Sequence, residues 1–272
     1  LIYIICLIIG IMTAFIGSLL GLGGGVVLIP TMLLLSQYVH DFAWASPQMI
    51  VGISLIVMVF TALSSTISYF RKGRVDYKTG LYFLSGSIPG SIIGAWLNQY
   101  IDANDFSLYF GFIMVIISFL FLIKREPRSL GNTKQDNSIR TFKVDGEIYH
   151  YRISVWTAFY ISLGVGILSG MFGIGGGSIM VPVMILFFGV PTHIATATSM
   201  FMILFISIMS AGTHIMLGHI VWEYTLLFIP GAWIGGKIGA RVNQSLNSKA
   251  LEWILRIILV LIGLRLIIEG LA

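Results

Sequence analysis

Charge is what this sequence has least of. Only 10% of its 272 residues are Asp, Glu, Lys or Arg, while 57% are apolar. A soluble domain carries about 25% charged residues, so this chain lacks the polar groups to cover a water-facing surface. Lipid must supply the surroundings, and in lipid the backbone has to satisfy its own hydrogen bonds. Closed barrels need short alternating runs; the apolar runs here are continuous and long, which predicts helices. Cysteine is nearly absent as well. Cys6 stands alone, which excludes an internal disulfide and a cysteine metal site, and it reads as a small buried hydrophobe. Residues 1–18 have no basic start, so they do not read as a cleaved signal peptide. No Ser-His-Asp, Cys-His or metal-ligand spacing occurs, and the five histidines are scattered. Nothing points to an enzyme or to a cofactor. The net charge of +5 would suit nucleic acid, but the basic residues cluster in two polar segments. The positive-inside bias explains that clustering better, so no nucleic-acid partner is expected.

What is present is a series of membrane-length apolar runs. Spans are predicted over 1–18, 50–70, 79–100 and 106–123, then over 153–171, 194–217, 222–242 and 250–268. Shorter apolar runs, 26–35 and 179–188, follow two glycine clusters, Gly21-Leu22-Gly23-Gly24-Gly25 and Gly173-Ile174-Gly175-Gly176-Gly177. The pattern is a duplication. Gly21, Gly23, Gly24, Gly25 and Pro30 match Gly173, Gly175, Gly176, Gly177 and Pro182 at one constant shift. Ser54, Phe60, Ser65 and Gly73 match Ser199, Phe205, Ser210 and Gly218 at a second. That second shift also carries Gly86, Gly90, Gly94 and Asn98 onto Gly231, Gly235, Gly239 and Asn243. The expected fold is an all-α polytopic membrane protein of two homologous four-segment repeats, 1–123 and 153–272, each with a glycine-broken helix. A cytoplasmic linker, 124–152, joins them. Within it, Asp145-Gly146 lies between alternating runs and predicts a β-hairpin.

Arg71, Lys72, Arg74 and Lys78 follow the second span, and Lys124, Arg125, Arg128, Lys134 and Lys143 lie in the linker. Both segments are expected inside. If the run after each glycine cluster turns back, the repeats are inverted. Arg241 and Lys249 then join the inner side, and the loop with His214 and His219 faces out.

The glycine clusters carry the functional expectation. Unwound backbone at membrane depth survives only where it is buried in protein or lines a cavity. The free N–H groups and the dipole of the following half-helix favour an anion there. Broken helices in matching positions of two repeats point to a transport site. The expected ligand contacts are Gly23, Gly24 and Gly25 with Gly175, Gly176 and Gly177. Nearby hydroxyls join them: Ser18, Ser54, Ser178, Thr198 and Ser199. Gln48 and His193 hold matching positions before the second and sixth spans, and Lys237 could offset a bound anion. A dinucleotide fingerprint would need glycine where Val26 and Ser178 stand, and a Walker loop would need Gly-Lys-Ser/Thr; neither is present. The spacing-four ladders Gly86/Gly90/Gly94 and Gly231/Gly235/Gly239 read as close helix packing, with Asn98 and Asn243 as interfacial caps. All acidic residues lie in loops or near helix ends, so no buried carboxylate is expected as a proton relay.

Together these features resemble the sulfite exporter TauE/SafE family, also called the toluene sulfonate uptake permease family. The resemblance rests on Gly21–Gly25 with Pro30, on Met171-Phe172-Gly173-Ile174-Gly175-Gly176-Gly177 with Val181-Pro182, on Ala197-Thr198-Ser199, and on Gly218-His219-Ile220-Val221-Trp222. Gly52-Ile53-Ser54 replaces Ala-Thr-Ser in the first half, so the two half-sites need not contribute equally. The resemblance implies a secondary transporter of sulfite, sulfonate or another organosulfur oxyanion in a prokaryotic plasma membrane. The expected partners are the lipid bilayer, a small sulfur-containing anion, a coupling proton or cation, and further copies of the chain in a homo-oligomer. The alternatives are an anion channel and a membrane assembly or interaction protein.

Overall fold

The computed structural model describes residues 2–42, 44–120, 139–144 and 146–246, with single positions between 253 and 268. Its helices are α1 (Ile2–Leu20), α2 (Gly25–Tyr38), α3 (Pro47–Phe70), α4 (Tyr77–Leu97), α5 (Ala103–Leu120), α6 (Val155–Phe172), α7 (Gly177–Phe188), α8 (Thr192–Met216) and α9 (Trp222–Asn243). The expected last span, 250–268, lies outside the described residues except at those single positions, which are helical. The linker before residue 139 also lies outside them. Five helices are long and apolar enough to cross a membrane: α1, α3, α4 with the turn after it, α6 and α8. Their outward faces carry Tyr3, Ile8, Met12, Leu81, Ile93, Trp96 and Tyr160, exposed apolar groups that suit lipid. The chain is an all-α polytopic membrane protein with one small sheet.

Local signals set the helix ends. Ser46 caps α3, accepting from the Met49 N–H, and Pro47 occupies the first helical position. Asp76 caps α4, accepting from Thr79. The sheet is the predicted hairpin. β1 (Ile139–Val144) pairs antiparallel with β2 (Glu147–Arg152), and Gly146 takes φ 87° in the turn.

The glycine ladders decide which helices touch. A Cβ on Gly86, Gly90 or Gly94 of α4 would lie under 3.0 Å from the carbonyl oxygens of Phe159, Leu163 and Ile167 in α6. On α9, Gly231, Gly235 and Gly239 meet the carbonyls of Leu7, Ile11 and Phe15 in α1 in the same way. Both pairs therefore run side by side in one direction, each helix beside one from the other half. Asn98 and Asn243 are fully buried, which corrects their reading as interfacial caps. Their amides donate to the carbonyls of Met171 and Leu19 at 2.7 Å, so each caps the C-terminal end of the neighbouring helix.

α3 and α8 cross the centre in opposite directions. The start of α3 lies beside the end of α8, where a Cβ on Gly52 would meet the His219 carbonyl. The end of α3 lies near the start of α8, where Phe70 packs edge-on to Phe201. The molecule thus has two ends. The hairpin marks one; the turn between α8 and α9 marks the other, here called the far end. Asp76 sits at the hairpin end and is fully buried. It accepts from Arg140 Nε at 3.0 Å and Nη2 at 2.9 Å, from the Tyr151 hydroxyl, and from Thr79 Oγ1 at 2.7 Å. A buried carboxylate was not expected from the sequence. Its position at a helix end was, but its burial comes from the hairpin folding over it.

Candidate functional site

Each glycine cluster breaks the chain between two helices. After α1, Gly21, Gly23 and Gly24 take φ of 76°, 83° and 104°; after α6, Gly173, Gly175 and Gly176 take 65°, 68° and 70°. A side chain at any of these six positions would combine a left-handed backbone with a buried site, and Gly24 and Gly176 among them are the N-caps of α2 and α7. α2 then turns back to the far end, where Phe42 and Trp44 pack on Tyr224. α7 turns back to the hairpin end, where Phe188 packs on Phe83. The N-termini of α2 and α7 are left at mid-depth, with their helices leading away in opposite directions.

The two breaks interlock. A Cβ on Gly25 would strike the Gly173 carbonyl oxygen, and one on Gly177 would strike that of Gly21. Ser54 of α3 donates to the Gly173 carbonyl at 3.0 Å, and Ser199 of α8 donates to the Gly21 carbonyl at 2.8 Å. Each hydroxyl thus holds the break of the other half. Between the breaks lie Met58 and Ile203. A Cβ on Gly23 would be 2.9 Å from Met58 Sδ and 3.1 Å from Ile203 Cγ2, and one on Gly175 would meet the same two side chains. Both are fully buried, and none of the nearest neighbours of the breaks is charged.

The electrostatics come from the backbone. Val27 and Leu28 N–H bond back to Gly24 O, and Ile179 and Met180 N–H to Gly176 O. The amides before them, at Gly25, Val26, Gly177 and Ser178, have no partner among the described residues, as expected for the first turn of a helix. The Ser178 hydroxyl is fully buried and makes no hydrogen bond among the described residues. Two positive helix poles and an unused hydroxyl therefore meet in an apolar, fully buried surround, a setting suited to an anion.

The predicted residues divide clearly. Gly23, Gly24, Gly25, Gly175, Gly176, Gly177, Ser178, Ser54 and Ser199 come together at the breaks. Ser18 lies elsewhere; its hydroxyl donates to Gly236 O at 2.7 Å and accepts from Ser65. Thr198 sits at the hairpin end, where its Oγ1 accepts from the Asp76 N–H at 3.1 Å. Gln48 bonds the Ile101 carbonyl at the far end. His193 is in the first turn of α8 and Lys237 is on the exposed face of α9, so neither reaches the breaks. Met58 and Ile203 escaped sequence reasoning because apolar residues in an apolar helix carry no chemical signal. Their matching positions in the two halves were the available clue.

A family model described as sulfite exporter TauE/SafE matches residues 6–266. The probable membrane transporter protein YunE of Bacillus subtilis is 44% identical over 98% of this chain and 98% of its own. The probable membrane transporter protein ORF9 of Sinorhizobium is 26% identical over 94% of this chain and 88% of its own. No solved structure matches the chain. Bacterial relatives and a multi-pass helical fold place the protein in the plasma membrane. The chain belongs to the sulfite exporter TauE/SafE family and is a membrane transporter rather than an enzyme.

Proposed function

We propose that this protein is a secondary carrier that moves a small sulfur oxyanion, sulfite or a sulfonate, by alternating access between two inverted repeats. The observation that carries the reading is the meeting of the α2 and α7 N-termini at Met58 and Ile203. An oxyanion bound there would accept from the free amides of Gly25, Val26, Gly177 and Ser178 and from the Ser178 hydroxyl. Two dipole ends would balance its charge without a buried cation, whose desolvation is costly. Met58 and Ile203 now fill that space, so the arrangement is an occluded state and the ligand would displace both side chains. Met58, unbranched and flexible, can move aside without backbone motion.

The paired contacts support the inverted arrangement. Ser54 with Gly173 mirrors Ser199 with Gly21, and α4 against α6 mirrors α9 against α1. In an inverted pair one repeat can rock against the other and present the central site to either face. The hairpin end carries Arg71, Lys72, Arg74, Lys78, Arg140 and Arg241, and is therefore the cytoplasmic end.

Purified protein in vesicles should take up labelled sulfite or a sulfonate with saturation, and unlabelled ligand on the far side should accelerate that uptake. Ser178→Ala should raise the half-saturating concentration about tenfold, the cost of one hydrogen bond to a charged group. Flux of no oxyanion tested, or single-channel currents, would reject the carrier.

A further inference from the structure

The turns at the two ends of the molecule have the same backbone but different chemistry. At the hairpin end, the Arg74 N–H bonds to Tyr69 O at 3.2 Å and the Gly73 N–H to Phe70 O at 3.0 Å. At the far end, the His219 N–H bonds to His214 O at 3.0 Å and the Gly218 N–H to Ile215 O at 3.1 Å. Gly73 and Gly218 take φ of 65° and 76°. His214 and His219 thus stand where Tyr69 and Arg74 stand in the other half. The Tyr69 hydroxyl donates to the Ser18 carbonyl near the end of α1 at 3.0 Å, and the charge of Arg74 acts on its ring. In the matching place the backbone of Gly170, near the end of α6, lies close enough to act on the buried His214 ring. One end therefore holds a permanent cation beside two helix C-termini. The other holds two imidazoles.

Those imidazoles touch. Nδ1 of His214 and Nδ1 of His219 are 3.1 Å apart, so one must donate and the other accept. His214 is fully buried, and its Nε2 makes no hydrogen bond among the described residues. His219 is partly exposed. We propose that His214 and His219 form a single proton-binding site at the far end, whose occupancy supplies the positive charge that Arg74 supplies permanently at the hairpin end. The first proton turns the ring–ring bond into a charge-assisted one. The negative poles of α6 and α8 both favour that cation, and a second proton meets like charge. The protonated pair binds the end of α6, one turn before the Gly173 break, more tightly to α8. External acid would in this way hold the far end closed.

Other charged groups do not take over this role. α3 between Pro47 and Val57, α6 between Ser162 and Phe172, and α7 carry no titratable side chain. On α4, Tyr77, Lys78 and Tyr82 lie toward the opposite end. Glu223 and Tyr224 begin α9, His40 and Asp41 follow α2, and Tyr100 and Asp102 follow α4; among the described residues no hydrogen bond or ion pair joins any of them to either ring, while burial holds His219 below the ordinary histidine value.

The test uses the full chain with isotope-labelled histidine, and imidazole NMR follows both rings through acid pH. Replacing either histidine by Gln should shift the other's titration by about one unit, about tenfold in proton affinity. Two rings that titrate without regard to each other would overturn the proposal. In vesicles held at fixed internal pH, uptake of a sulfonate, whose own charge does not change in this range, should fall as external pH drops from about 6.5 to about 4, below the ordinary histidine value. The paired replacement His214→Tyr with His219→Arg should make uptake independent of external pH. A wild-type profile that persists in that variant would also overturn it. If wild-type protein moves no anion, the carrier reading fails, and the NMR titration still decides the proton site.

Discussion

Gly25 has room for a hydrogen and nothing larger. Its φ is ordinary; what excludes a side chain is the Gly173 carbonyl of the opposite break. Gly25→Ala should lower stability by about 1–3 kcal/mol, toward the upper end because the obstacle is backbone, which cannot rotate away. Gly164 of α6 is the control. It is helical and exposed, and nothing lies within 4 Å of the place a Cβ would take, so Gly164→Ala should stabilise by about 0.5–1 kcal/mol. Thermal unfolding in detergent should separate the two variants in opposite directions. Equal small effects would mean that the breaks do not interlock. The same residue-by-residue view separates the hydroxyls. Ser54, Ser199 and Ser18 are committed to carbonyls of other segments, while the Ser178 hydroxyl is not.

Between elements, the hairpin and the membrane helices are joined through Asp76. Burial pushes its carboxyl up, but the bonds from Arg140, Tyr151 and Thr79 outweigh burial and hold it below the usual carboxylate range. Its folded value is lower than its unfolded one. The stabilisation is therefore complete at neutral pH and is lost as pH falls through the folded value. Arg140→Ala should cost about 2–4 kcal/mol, less than for a fully buried pair because Arg140 keeps 25% exposure. It should also leave β1 and β2 open to protease. Asp76→Asn should flatten the acid limb of the unfolding curve below about pH 4, the ordinary carboxylate value. A hairpin that resists protease equally in both variants would show that Asp76 does not hold it. The amide of Asp76 also reaches Thr198 of α8, so this one residue ties together β1, β2, α4 and α8.

Across the whole molecule, the two ends are chemically unlike. Basic side chains crowd the hairpin end, while Trp44, Tyr224, His214 and His219 occupy the far end. With Cys6 replaced by serine, a cysteine at Gly146 in the hairpin turn should be labelled by an impermeant maleimide only after the membrane is opened. One at Tyr38, which is 81% exposed, should be labelled on intact cells. The reverse pattern would overturn the sidedness, and labelling of both from one face would overturn the two-ended architecture.

The sequence alone determined the membrane class, the positions of most helices and the two breaks. The ladder glycines were legible as packing surfaces because small residues at spacing four have few other uses in lipid. The hairpin was legible because Asp-Gly between alternating runs is a local instruction. Those features act within a few neighbouring residues, so the order of residues suffices to read them. Tertiary structure decided which carbonyl each ladder meets, and therefore that each helix pairs with one from the other half. It turned Asn98 and Asn243 into caps for distant helices, and it put Thr198 and Lys237 away from the breaks. It also brought Met58 beside Ile203, Asp76 beneath Arg140, and His214 against His219. Such contacts depend on the distance between helices and on their relative rotation, which only close packing of the whole chain sets.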